Sequence, residues 1–375
     1  MQIFLNYFRT KKGRFSMYNK SMITLGRELR GITQSKLVEA IPGLNQIDVS
    51  HLETGRTEFN EYYVDLISKA LGLPRTFFEK QDPLVKRVSK YYYRKRSTLP
   101  AKKQNIIEAQ VKILRQMALE LLREVEVETK PLPKFPVKSM SDIEKIAQKM
   151  RLFFDLADGP IENPVSLFEQ IGVPVIFLRT VSEKFSGMTV QTDIDMPIIF
   201  INKDLPNDHK RFTLAHELGH LIMHIPFSND PEFISALKDL DELEKQADYF
   251  AGAFLMPADP IKRQTNNTFT YSRLTELKLY WRVSKQALIY RAKELKIIPE
   301  HKFTNLFVEL SRNGERKREL LEVPIDEPRL FKEMLNLWET QFEKSRKELS
   351  EEMAGIPLEE FEEWLGFPRP LLRAV

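Results

Sequence analysis

Apolar and polar positions alternate along this chain with three different rhythms. Between residues 22 and 80 apolar residues recur every three to four positions in short bursts: "TLGRELRG", "TQSKLVEAI", "NQIDVSHLETG" and "EYYVDLISKALG". Turn residues part the bursts, at Pro42-Gly43, Gly55 and Gly72-Leu73-Pro74. This pattern predicts short amphipathic helices in an all-α unit. A longer rhythm follows from Ala101 to Val127. Its apolar positions Ile107, Val111, Leu114, Ala118, Leu121 and Val125 alternate four and three apart, the spacing of a heptad seam. The helix at 101–127 therefore either joins two copies of the chain as a homodimer or packs within its own chain. Fewer than four heptads do not decide between these.

Beyond the proline-rich joint "ETKPLPKFPVKSMS" the rhythm becomes mixed. "DIEKIAQKMRLFFDL" and "NPVSLFEQIG" have helical period. "VPVIFL", "SGMTVQT" and "MPIIFIN" read as strands, the first and last being continuous apolar runs. A helix through "RFTLAHELGHLIMH" follows, with Asn207 or Asp208 as its expected cap. "DELEKQADYFAGAFLMP" and "SRLTELKLYWRVSKQALIYRAKELKI" are again helical by period. The expected layout is an extension at 1–21, an all-α unit at 22–80, a basic connector and long helix at 81–130, an α+β domain at 131–298, and a charged, mostly helical region at 299–375.

Charge changes this picture by half. The whole chain is +4, but residues 1–130 hold 24 Lys+Arg and 14 Asp+Glu, so the front is +10 and the rest −6. A basic front favours nucleic acid or an acidic partner. Tyr91-Tyr92-Tyr93, set among Lys90, Arg94, Lys95 and Arg96, reads as a nucleic-acid-facing connector or as a hinge between domains. There is no cysteine, so any transition-metal site must use imidazole and carboxylate ligands. No apolar run approaches a membrane span, and the N-terminus lacks a secretory apolar stretch; the reading is cytoplasmic, with no membrane partner.

The candidate chemistry sits in "RFTLAHELGHLIMH". His216, His220 and His224 recur every fourth residue and so stack on one helix face. His-Glu-x-x-His lets two imidazoles share a metal while Glu217 reaches a water beside it. A catalytic site needs a third ligand, and Glu244 is the best candidate. Asp248, one turn on, would accept the outer N–H of a ligating histidine. His224 reads as a hydrogen-bonded structural histidine. Tyr271, Tyr280 and Tyr290 are each able to stabilise an oxyanion, and the sequence does not choose among them.

At these residues the chain resembles the ImmA/IrrE family of zinc-dependent metallopeptidases, through "RFTLAHELGHLIMH", "EKQADYFAGAFLMP" and "LKLYWRVSKQALIYRAKELKII". The front half is similar to an XRE-type (Cro/C1-like) helix-turn-helix, through "RELRGITQSKLVEAIPGLNQIDVSHLETGRTEF". The resemblance implies a multidomain chain: an all-α helix-turn-helix domain, then an α+β zincin-like metallopeptidase. It implies one Zn2+ per chain on His216, His220 and Glu244, with Glu217 as acid/base. It further implies cleavage of a specific protein substrate, a transcriptional repressor, in stress or phage regulation, with double-stranded DNA as partner. The residues expected to face DNA are Gln34, Asn45, Gln46, Ser50 and His51. Against that, the recognition helix holds Asp48 and Glu53 and no Lys or Arg, although Glu53 also reads as a strut between helices. The opposing expectation is a non-enzymatic DNA-binding regulator whose zinc site is structural or vestigial.

Overall fold

The structure, a computed structural model, describes residues 18–80, 99–192, 196–225, 240–265, 269–325 and 327–367. The expected N-terminal extension up to residue 17 and the tyrosine connector lie outside the described residues. In chain order the helices before the sheet are α1 (Ser21–Leu29), α2 (Gln34–Glu39), α3 (Gln46–Thr54), α4 (Glu61–Leu71), α5 (Arg75–Phe78), α6 (Ala101–Leu122), α7 (Met140–Phe153) and α8 (Pro164–Glu169). Strands β1 (Val175–Leu178), β2 (Gly187–Val190) and β3 (Ile198–Asn202) come next. Then follow α9 (Asn207–Met223), α10 (Leu240–Leu255), α11 (Ala258–Thr265), α12 (Tyr271–Trp281), α13 (Lys285–Glu294), α14 (Glu300–Arg312), α15 (Leu330–Gln341), a π-helical turn at Leu349–Ala354, and α16 (Leu358–Leu365).

The sheet has strand order β1-β3-β2, with β3 parallel to β1 and antiparallel to β2. It divides two cores. Ile176, Leu178, Met188, Val190, Ile198 and Phe200 face one side; Val175, Phe177, Ile199 and Ile201 face the other. That is why β1 and β3 read as unbroken apolar runs: both faces are covered. The first core takes in α1 to α6, α15, the π turn and α16. The second is built from α7 to α14, α11 contributing Ile261. The C-terminal region is therefore shared out, with Leu306 and Leu310 in the second core and Phe331, Phe361 and Trp364 in the first.

In the front unit, Thr33, Asn45 and Asn60 accept backbone N–H groups and start α2, α3 and α4. Gly55 closes α3 at φ 77°, a conformation only glycine adopts cheaply. Glu53 accepts from Arg27 at 3.0 Å and from Gln34 at 2.6 Å, so it does brace α3 against α1 and α2. Arg30 reaches out of the unit to grip Glu360 of α16 with two hydrogen bonds of 2.8 and 2.9 Å.

Two local expectations are corrected, and one open alternative is decided. The heptad seam is not free to dimerise: Ile107, Val111, Leu114, Ala118 and Leu121 are all 1 % exposed or less, inside their own chain. The helix also stops at Leu122, short of the expected Val127, where the β-branched Val125, Val127 and Thr129 begin to alternate with charged residues. At α9 neither Asn207 nor Asp208 acts as the cap. Pro206 precedes the helix, Asn207 donates to the Val323 carbonyl at 3.0 Å, and Asp208 is buried against the Lys278 ammonium.

Candidate metal centre

Helix periodicity puts His216 and His220 on one face of α9, and that face meets α10 at Gly219. A Cβ at Gly219 would stand 3.0 Å from the Phe250 ring and 3.4 Å from the Ala247 Cα, so glycine sets how closely the helices cross. The close crossing delivers Glu244. Its carboxylate lies 3.5 Å from His216 Nε2 and 3.3 Å from His220 Nε2, and the two Nε2 atoms are 3.0 Å apart. Ligand atoms from His216, His220 and Glu244 lie within 4.8 Å of one another, a group able to hold a metal ion.

Each histidine has a partner behind it. His216 Nδ1 donates to Asp248 Oδ1 at 2.8 Å, as expected for a residue that fixes a ligand's orientation. His220 Nδ1 lies 2.8 Å from His224 Nδ1, and His224 Nε2 lies 3.1 Å from Gln246 Oε1. His224 is thus a buried hydrogen-bonded residue rather than a cleft wall, as its reading from the sequence had it. Burial and the neighbouring His220 ring push it down to about 3, so it stays neutral.

Three electron-pair donors this close repel one another unless a cation lies among them. A metal or a proton can take that part. Burial opposes a charged His216, but hydrogen bonds to Asp248 and Glu244 prevail and raise it to about 10. Burial likewise opposes the Glu244 carboxylate, and the two imidazoles outweigh it and hold it well below the usual range. Two imidazoles and a carboxylate are also a donor set that suits a borderline divalent metal.

The donors open onto a cleft of about 310 Å³ lined by Glu217, His209, Phe212, Thr213 and residues 186–188 at the edge strand β2. Glu217 is buried in its wall and accepts from Thr189 Oγ1 at 2.7 Å. Strand alternation explains this contact. Met188 and Val190 point into the first core, so Thr189 points to α9. Gly187 lets the strand come close, since a Cβ there would be 2.7 Å from the Thr213 methyl.

Thr189, Gln246 and His209 escaped the reading of the sequence. His209 had a signal, standing seven residues before His216 and so two turns along the same face; the other two depend on which elements meet. A second cavity of about 500 Å³ shares His209, Phe212 and Asp248 with the cleft, and Tyr290 lines it. Tyr271 instead donates to the buried Glu315, and Tyr280 lines neither cavity.

Of the residues expected to face DNA, Gln34 is engaged with Glu53 and Asn45 caps α3. Gln46 is exposed, Ser50 and His51 are half-buried, and the side chain most exposed between them is Ile47, at 64 %. Residues 18–80 carry eight Lys+Arg against eight Asp+Glu, so the basic excess of the front half belongs to its flanks.

Residues 168–293 match the family model Peptidase M78, described as the IrrE N-terminal-like domain. The match spans the sheet, both histidines, Glu217, Glu244 and Asp248, about a third of the chain. No curated protein matches. A solved structure of a Mycobacterium tuberculosis transcriptional regulator is similar at 15% identity and a TM-score of 0.31, over 40% of this chain and 46% of that one. This chain thus spans less than half of that regulator's length. Among the described residues no helix is long and apolar enough to cross a membrane.

Proposed function

We propose that the chain is a zinc-dependent endopeptidase of narrow range, joined to a helix-turn-helix unit that brings it to duplex DNA. We assign its substrate to one specific protein, a transcriptional repressor being the class expected from the family resemblance. The observation that carries the reading is Glu217: an acid that is not among the clustered donors, held beside them in the wall of an open cleft. His216, His220 and Glu244 would hold one zinc per chain, with Asp248 orienting His216. Zinc bound there supplies Lewis-acid chemistry, acidifying water and polarising a carbonyl.

The chain's own residues do the rest. The Thr189 hydroxyl occupies Glu217 Oε2, which leaves the other oxygen to take a proton from the attacking water. Water oxygen bonds to the carbonyl carbon, the peptide C–N bond breaks, and Glu217 returns the proton to the leaving amine. The outer side of β2 is a sheet edge beside the cleft, where an extended substrate segment can pair by backbone hydrogen bonds.

The opposing class is a regulator with a purely structural zinc. Such a site closes on four ligands. Here three donors face a cleft, and both ring nitrogens of His224 are engaged with His220 and Gln246. The test is whole-proteome N-terminal sequencing of cells carrying wild type or Glu217→Gln. New N-termini that depend on Glu217 are expected from one partner protein. Matching profiles under every stress tried, DNA damage included, would leave the peptidase reading without support.

A further inference from the structure

The hydrogen-bond chain behind His220 has a direction. Two imidazole Nδ1 atoms 2.8 Å apart need one proton between them: one donates and the other accepts. Gln246 decides which. Its Oε1 lies toward His224 Nε2 at 3.1 Å and can only accept, so that nitrogen carries the hydrogen. A neutral His224 with its proton on Nε2 has a lone pair on Nδ1. His220 Nδ1 must then donate, so that with a metal in place of the shared proton His220 Nε2 has its lone pair available beside His216 Nε2 and Glu244. Reversed, the chain would put a hydrogen on His220 Nε2, pointing at the place a cation would take.

We infer that Gln246, acting through His224, is a positioning residue that fixes the tautomer of His220 and keeps its Nε2 available as a ligand. This rests on the metal-site reading above, and adds to it a relay parallel to the one Asp248 provides for His216. The two relays come from one helix: Gln246 and Asp248 are two residues apart on α10, one serving each histidine. Glu244, the proposed third ligand, lies on the same two turns. A single close crossing at Gly219 thus places a ligand and both orienting residues together.

The inference is tested on the full chain by zinc affinity and by imidazole ¹⁵N chemical shifts, neither of which needs a substrate. Gln246→Leu removes the acceptor and is expected to weaken zinc binding about 10- to 100-fold, the usual cost of losing such a partner. Gln246→Glu keeps an acceptor and should hold affinity at or above wild type. It also covers the case in which the leucine variant does not fold. In a His224→Phe background the relay is already cut, so Gln246→Leu should then cost less than threefold. The ¹⁵N spectra of zinc-loaded wild type should show His224 protonated on Nε2 and His220 on Nδ1. His224 protonated on Nδ1, or a Gln246→Leu variant binding zinc within twofold of wild type, overturns the inference while the metal site stands. A wild type that binds no zinc overturns both.

Discussion

Metal uptake should be coupled to a proton, and the coupling has a predictable slope. His216 is raised to about 10 by Asp248 and Glu244, so below that pH the metal-free ring is charged. A metal binds only the neutral ring and must displace the proton. The sign follows: affinity is lost as pH falls and gained as pH rises, about tenfold per unit up to pH 10. Between pH 7.5 and 9.5 the zinc dissociation constant should therefore drop about 100-fold, or about 2.7 kcal/mol. Glu244 is held below the usual carboxylate range and releases nothing in this window. His224, at about 3, does not take part. The affinity is read by competition with a chromophoric chelator, corrected for the chelator's own protonation. Calorimetry in buffers of different ionisation enthalpy then counts the proton directly, with about one expected per zinc at pH 8. Asp248→Asn removes the charge that raises His216, so it should flatten the slope above pH 8 even as it weakens binding. Affinity that stays flat from pH 7.5 to 9.5, with no proton released, would refute the reasoning.

The same linkage acts on stability. With zinc chelated, the His216 interactions stabilise the fold fully below about pH 6.5, and that contribution is lost as pH rises through 10, so the melting temperature should fall over that range. Thr189→Val deletes the hydroxyl that Glu217 Oε2 accepts from, leaving a buried carboxylate oxygen unsatisfied. Chemical denaturation should show a loss of about 1–3 kcal/mol, with zinc content unchanged. Gly219→Ala puts a methyl 3.0 Å from the Phe250 ring, and about 1–3 kcal/mol of destabilisation together with weaker zinc binding is expected, measured by denaturation and chelator competition. Gel shifts of the full chain over a salt series test the DNA partner: affinity should fall steeply with salt, and no retardation at low salt would favour a protein-docking role for the front unit.

The sequence by itself determined whatever depends on local period. His216, Glu217 and His220 had to share a helix neighbourhood because 3.6 residues make a turn, and Glu244 and Asp248 had to lie one turn apart for the same reason. The two apolar strand runs were legible on similar grounds, whereas the capping roles of Asn45 and Asn60 were not read from the sequence. What an apolar face would be buried against was not. The α6 seam met α1, α15 and the π turn instead of a second copy, because a heptad stripe records that a face is apolar and says nothing of its partner. Thr189 could find Glu217 only after β2 took the edge position beside α9, and Gln246 could orient His220 only after α10 crossed at Gly219. Those contacts join residues 28 and 22 or more positions apart. Their geometry is set by sheet order and helix packing, which only the folded chain decides.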